Sequence, residues 1–313
     1  MELTYPADSA EAGLRFFSAW LGAHYARSVT VESFTSETET LTAVLRVGRK
    51  WTLRVALANT LAPEADLPFD AARAVVEQRL DTMGHEVALW APRGGDLPVS
   101  EPGLSELMMA MEAANVLPDG RREVRRPVRL NLRRAGATGS VVTVLGGLSA
   151  HWAQFTNRVP GTFQLNSFAL KRLPASAEER TALADRIVMA AQQPLADENQ
   201  TIVTDDAWTA TALPGGRACV FGSPKGEDDE QSATLRRNLR RILKGLDKGS
   251  GESDASALVI LAAATYAEDE RVTWALRGMD PRFYLGYDLV VVMVDGLVRP
   301  LVVPGRSALP WDA

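Results

Sequence analysis

Leu41-Thr42-Ala43-Val44-Leu45-Arg46-Val47-Gly48-Arg49-Lys50-Trp51-Thr52-Leu53-Arg54-Val55-Ala56-Leu57-Ala58 is the stretch that decides the class of fold. It holds two strand-like runs, 41–47 and 51–58, on either side of Gly48-Arg49-Lys50. A short glycine-containing gap between two such runs predicts a β-hairpin. A third strand-like run, 29–34, stands just before it.

Reading outward, residues 9–26 have helical spacing. Leu14, Phe17 and Leu21 fall on one face with Phe16 and Trp20 beside them, Ser9 is placed to cap the helix, and Glu11 sits in its first turn. Downstream, Phe69, Ala72, Val76 and Leu80 mark a helix over 69–83 that Gly84 stops, and 86–91 is a short strand. The first ninety residues therefore run helix, three strands, helix, strand. After a loop rich in proline and glycine (92–102), Leu107, Met108 and Met111 give the apolar side of a helix over 104–115. Residues 123–134 alternate like a strand, 140–145 is a second strand across the turn 135–139, and 161–168 is a further candidate.

The second half repeats the order. Ser176 caps a helix over 178–192, strands are expected at 201–203, 208–213 and 217–222, and a long helix spans 228–248. Strands at 257–263, 288–294 and 298–303 follow, with a helix over 269–277 after the first of them. Lys248-Gly249-Ser250-Gly251-Glu252-Ser253-Asp254-Ala255 reads as a connector, and the tail 304–313 as irregular. The expectation is an α/β (α+β) fold with mixed β-sheets flanked by helices, either as two domains, 1–173 and 174–313, that meet near Pro174, or as one compact unit.

Composition narrows the function classes. The 313 residues carry a formal net charge of -5, which argues against a whole-protein field that draws in nucleic acid, though not against a local basic patch. Cys219 is the single cysteine, so neither an intrachain disulfide nor a cysteine-built zinc site is available. The start, Met1-Glu2-Leu3-Thr4-Tyr5-Pro6, has no basic segment followed by an apolar run, so no signal peptide is expected. No apolar stretch approaches the roughly 20 residues that cross a bilayer. A cytoplasmic location follows as the default expectation.

The catalytic motifs on offer are incomplete. Gly147-Leu148-Ser149-Ala150-His151 follows a strand like a nucleophile elbow, but histidine stands where the last glycine belongs, and no histidine comes later to act as base. His24, His85 and His151 share no metal-ligand spacing, so no metal site and no cofactor are expected. Gly222-Ser223-Pro224-Lys225-Gly226 departs from the phosphate-loop pattern, and the acidic run Glu227-Asp228-Asp229-Glu230 behind it would repel phosphate. Cys219 lies in the apolar run 218–221, which reads as buried and structural.

The strongest local signal is basic. Seven of the fourteen residues over 121–134 are arginine. On a strand, Arg125, Arg129 and Arg133 share one face while Val128, Leu130 and Leu132 take the other. The helix over 228–248 has a buried stripe of Leu235, Leu239, Ile242, Leu243 and Leu246, and its exposed side carries Arg237, Arg241 and Lys244 among its cations. Arginine suits phosphate because its planar fork binds two oxygens. These six cations are the candidate polyanion-binding residues; the plain alternative is a solvated face paired with local acids.

The order helix, three strands, helix, strand over 9–91 resembles the core of the restriction-endonuclease-like (PD-(D/E)XK) nucleases. That resemblance implies an acid on the second strand and an E-x-K on the third, which together hold a metal that activates water against a phosphodiester. The third strand here is Trp51-Thr52-Leu53-Arg54-Val55-Ala56-Leu57, and the E-x-K position falls near Arg54-Val55-Ala56, without acid or lysine. The second half has a similar order and offers Asp205-Asp206 and Ser223-Pro224-Lys225, again without the glutamate. What the resemblance implies is two nuclease-like halves with a degenerate site. The sequence thus points to a non-catalytic binding or assembly component, associated with nucleic acid in DNA processing or defence. Its rivals are a metal-dependent nuclease with displaced carboxylates and a protein-interaction module that never meets nucleic acid.

Overall fold

The structure is a computed structural model, and it describes residues 5–37, 39–61, 67–174, 176–193, 199–224, 232–246, 253–262, 280–301 and 308–312. Among them are five α-helices and thirteen strands, the strands forming two mixed sheets of six and seven. The fold class is α/β, and no described helix is long and apolar enough to cross a membrane. Backbone contacts divide the chain into two compact units, Met1–Leu104 with Thr209–Ala313, and Ser105–Trp208.

The first unit is built on the expected hairpin. Strands β1 (Val29–Ser36), β2 (Thr40–Val47) and β3 (Trp51–Asn59) form an antiparallel meander, with Gly48 at φ +64° in the β2–β3 turn. The sheet then continues through segments more than two hundred residues further on. β11 (Ala255–Leu261) pairs parallel with β3, β12 (Leu289–Val294) pairs parallel with β11, and β13 (Leu297–Pro300) returns antiparallel. This pairing explains why the division departs from the split at Pro174: both ends of the chain close one core, and 105–208 lies between them in sequence as a unit of its own.

Helices cover both faces of this sheet. On one, α1 (Ser9–Tyr25) packs Leu14, Phe17 and Leu21 against Leu45, Val55, Val259 and Val291. On the other, α5 (Ser232–Gly245) sets Leu239, Ile242 and Leu243, with Leu246 just beyond, against Ala56, Leu258, Ile260 and Val292. Strands buried on both sides read as unbroken apolar runs, as β12 and residues 257–261 of β11 do. Asp8, not Ser9, caps α1: its carboxylate accepts from the amides of Ala10 and Glu11, while Ser9, inside the helix, accepts from Asn59.

A smaller group of strands completes this unit. β4 (Val87–Trp90) pairs antiparallel with the last four residues of β9 (Asn199–Ala212) and parallel with β10 (Cys219–Phe221). The strands expected separately at 201–203 and 208–213 are thus one strand. Beside β10 runs α2 (Leu67–Thr82). Glu77 accepts from the amides of Val220 (2.9 Å) and Ala7 (2.6 Å), and Asp81 from the amide of Ala218 (2.6 Å) and the hydroxyl of Tyr5 (2.7 Å). Arg73 donates to Glu77 and to the carbonyl of Ala7. Three charged side chains one helical turn apart therefore fasten β10 and the N-terminal segment to α2. Cys219 is buried beside them, and burial pushes its thiol well above the ordinary range, as expected of a structural cysteine.

The second unit holds α3 (Gly103–Glu112), β5 (Asn115–Val116), β6 (Arg122–Gly136), β7 (Ser140–Gly146), β8 (Gly161–Ser167), α4 (Ala177–Gln192) and the first ten residues of β9. β6 and β7, on either side of the turn 135–139, are not sheet neighbours. β8 lies between them, antiparallel to β6 and parallel to β7, so that Phe163 and Leu165 are buried between Leu132 and Val142. Ser176 caps α4 as expected. Leu183, Ile187 and Val188 of α4 cover the face that carries Leu130, Leu132, Leu165 and Ile202. The expected helix over 269–277 and most of the connector over 248–255 lie outside the described residues.

Candidate functional site

The opposite face of the second unit's sheet is open. On β6, Arg129, Asn131 and Arg133 are exposed, alternating with the buried Leu130 and Leu132. The cross-strand register sets their neighbours. Arg133 stands opposite Gln164 of β8, which stands opposite Thr143 of β7. Asn131 stands opposite Asn166, which stands opposite Leu145. Thr201 of β9 donates to Asn131 Oδ1 at 3.5 Å and extends that row by one strand. Val203 and the half-exposed Asp205 follow Thr201 in the same alternation, and Val141 lies beyond Thr143 on the far side. The result is a face of two arginines, three carboxamides and two threonines, with Leu145 among them and Val141, Val203 and Asp205 beside them, on backbone held by ladder hydrogen bonds.

The expected row of three arginines is a row of two. Arg125 is drawn away by Glu123 and by Glu179 at the first turn of α4, at 2.8 and 2.7 Å. Burial opposes its charge, and the bonds to Glu179 and Glu123 outweigh that and hold its pKa up. Arg129 and Arg133 carry no ion pair or hydrogen bond among the described residues. Four residues of strand separate them by about 13 Å. Arg126, on the inner side, lies over the ring of the buried Trp208 at 4.3 Å, and Arg134 over Phe163 at 5.8 Å. The basic stretch 121–134 therefore divides into arginines with partners in the fold and two, Arg129 and Arg133, that are exposed without one among the described residues.

The cations of the long helix belong to the other unit. Arg237, Arg241 and Lys244 are exposed at i, i+4 and i+7 of α5, one side of the helix. Glu39 engages Arg241 through both carboxylate oxygens, which takes it out of the candidate set, while Arg237 and Lys244 keep their exposure. The six candidates thus reduce to Arg129 and Arg133 on a strand of one unit and Arg237 and Lys244 on a helix of the other.

The polar residues that suggested chemistry have structural partners. Asp206 is buried and accepts from the amides of Lys171 and Arg172 through one oxygen and from the Trp208 indole through the other. Burial pushes its pKa up, against the indole, the two amides and the Arg126 charge. Around Ser149 the glycines answer a packing demand. A Cβ on Gly147 would lie 1.9 Å from the carbonyl oxygen of Leu170, and Gly146 has φ +90°. His24 stacks on Trp20 at 4.8 Å, and His151 lies 3.4 Å from the Gln154 amide. Lys225 lies outside the described residues, and Ser223 is buried. Among the described residues no group of three or more histidine, cysteine, aspartate or glutamate side chains is placed to hold a metal ion.

The amide residues Asn131, Gln164 and Asn166 went unnoticed in the sequence. Each is an ordinary polar position of an alternating strand, and only the β6–β8–β7 register places them beside the arginines. Compared with protein-family models, with curated proteins and with solved structures, the chain matches none.

Proposed function

We propose that the chain is a non-catalytic nucleic-acid-binding component, and that the open face of β6, β8, β7 and β9 is its contact surface. The observation that carries this reading is the pair Arg129 and Arg133, exposed without an acidic partner among the described residues, on a strand that cannot collapse around them. Two cations held by a ladder lose little entropy on meeting a polyanion, unlike cations on a loose tail. The surrounding carboxamides offer both donors and acceptors to phosphate, sugar or base edges.

The nuclease resemblance supports the same class of function. Over 9–91 the elements α1, β1–β3, α2 and β4 follow the order helix, three strands, helix, strand, but β4 pairs with β9 and β10 and not within the sheet of β1–β3, so the resemblance rests on element order. The position of the family's E-x-K on β3 is Arg54-Val55-Ala56 here, with Ala56 packed against the α5 side. A core of this order without its acids fits a binding or assembly role in DNA processing or defence.

The test is a fluorescence-anisotropy titration of short duplex DNA, single-stranded DNA and RNA at two salt concentrations. Wild type is compared with Arg129→Ala/Arg133→Ala and with Arg237→Ala/Lys244→Ala. Each lost phosphate contact lowers the slope of log affinity against log salt by about 0.9 on duplex DNA, so the strand variant should lose about 1.8. Absence of binding by wild type at low salt would refute the reading. Loss of binding confined to the helix variant would move the contact surface to the other unit.

A further inference from the structure

β1 is an outer strand of the six-stranded sheet, and apart from one bulge it carries little of what usually blunts such an edge. The opposite edge, β13, is four residues long and includes Arg299 and Pro300. In the smaller group of strands, the amides of Ala218 and Val220 beside β10 are taken by Asp81 and Glu77. β1 instead runs for eight residues, Val-Thr-Val-Glu-Ser-Phe-Thr-Ser, with no lysine and no proline, and six of the eight are exposed. Its single charge, Glu32, is neutralised by Arg46 of β2 at 2.5 Å. Such an edge presents unpaired N–H and C=O groups, whose natural complement is another extended strand.

The irregularity in β1 decides which strand. Val31 pairs with Leu45, but the next pairs are Ser33 with Val44 and Phe34 with Ala43, so Glu32 is an inserted bulge residue. Leu45 and Ala43 both face the α1 core. Val31 and Phe34, three residues apart, are thereby turned to the same face, where they are 39% and 46% exposed. A regular strand would have put them on opposite faces.

We propose that β1 pairs antiparallel with β1 of a second copy of this chain, about a two-fold axis at Ser33. In that register Phe34 of each copy stands opposite Val31 of the other, Thr35 opposite Thr30, and Ser36 opposite Val29. The two exposed apolar side chains of each copy then close into one cluster on the α1 side. No charge faces a like charge directly, since Glu32 is already held by its own Arg46. A strand of another protein has no need to match this pattern, whereas an isologous interface must be self-complementary, and this sequence is. The bulge interrupts the ladder near the axis, and an eight-residue edge buries less than the ~1,200–2,000 Å² of a stable interface. The dimer is therefore a concentration-dependent equilibrium. It needs nothing from the nucleic-acid reading, whose strand residues belong to the other unit.

The experiment is sedimentation velocity of the full chain over a dilution series, together with mild oxidation of Ser33→Cys. The buried Cys219 keeps the wild-type background low. The expected results are a monomer–dimer equilibrium and a covalent dimer from Ser33→Cys, with little from the control Asn166→Cys, which is also exposed. Val31→Lys/Phe34→Lys should shift the equilibrium to monomer while the melting transition persists. A single monomeric species across the series would overturn the proposal, and so would cross-linking no better than the control. A dimer that survives the lysine variant would overturn it too, by placing the interface elsewhere. If the lysine variant does not fold, the Ser33→Cys cross-link still decides the matter.

Discussion

The sheet of the first unit and the sheet of the second put similar strands to different use. In the first, β11 and β12 are buried along their whole length, between α1 on one side and α5 on the other. In the second, α4 covers one face, and β6 and β8 alternate between a packed side and a wet one. A strand covered twice has no surface left for a ligand. A strand covered once can devote every second residue to solvent without loss of core. Candidate binding residues are therefore to be sought on the second kind, and Arg129, Asn131, Arg133, Gln164 and Asn166 all lie there.

The contrast can be broken most severely at the buried charges of α2. Glu77→Ala would leave Arg73 with only the more distant, less buried Asp70 and the amides of Val220 and Ala7 without their Glu77 acceptor. Removing one partner of a buried ion pair costs about 3–5 kcal/mol, so urea denaturation should show a loss of that size. Next comes the doubly covered sheet itself. Leu239→Ala empties a fully buried position between α5 and the sheet, with an expected loss of about 2–5 kcal/mol in the same assay. An unchanged midpoint would show that the α5 stripe does not pack on the sheet.

A smaller effect is expected at Tyr5. Burial, and then the hydrogen bond to Asp81, raise its pKa from 10.0 to about 12. Because the folded value lies above the unfolded one, the associated stabilisation is complete below pH ~10 and is lost as pH rises through the folded value. Tyr5→Phe should therefore lower stability at neutral pH and flatten its decline between about pH 10 and 12. Melting temperature followed against pH for both proteins gives the comparison. The smallest effect belongs to the open face, where Arg129→Ala/Arg133→Ala should change stability by no more than about 0.5 kcal/mol per site. A larger loss would mean that these arginines serve the fold and would weaken their claim to a ligand.

The sequence was most legible where one periodicity ruled a segment. The meander of β1–β3, the apolar faces of α1 and α5, and the alternation of β6 all follow from local pattern. The partners of those segments do not. Nothing in Trp51–Asn59 or Ala255–Leu261 announces that they lie side by side, because parallel pairing depends on burial shared over two hundred residues. The division of the chain at 104/105 and 208/209 follows from that pairing, and the place of β8 between β6 and β7 is equally invisible locally, since adjacency in sequence is not adjacency in space. Of the candidate site, the outward direction of Arg129 and Arg133 was legible. The capture of Arg125 by Glu179 was not, because those residues are 54 positions apart and meet only when α4 docks.

The fastening of β10 by α2 has a consequence for how this protein can change. Four residues of helix advance about 6 Å and two residues of strand about 6.6 Å, so one turn of α2 spans the same length as one outward repeat of the strand edge. Glu77 and Asp81 meet Val220 and Ala218 because these two rulers nearly coincide over a single division. Inserting one residue between the two acids would swing Asp81 about 100° around the helix and break the match. Adding a whole turn between them would restore its direction but carry it past the amide it serves. Between Glu77 and Asp81, α2 is therefore locked in length as well as in composition.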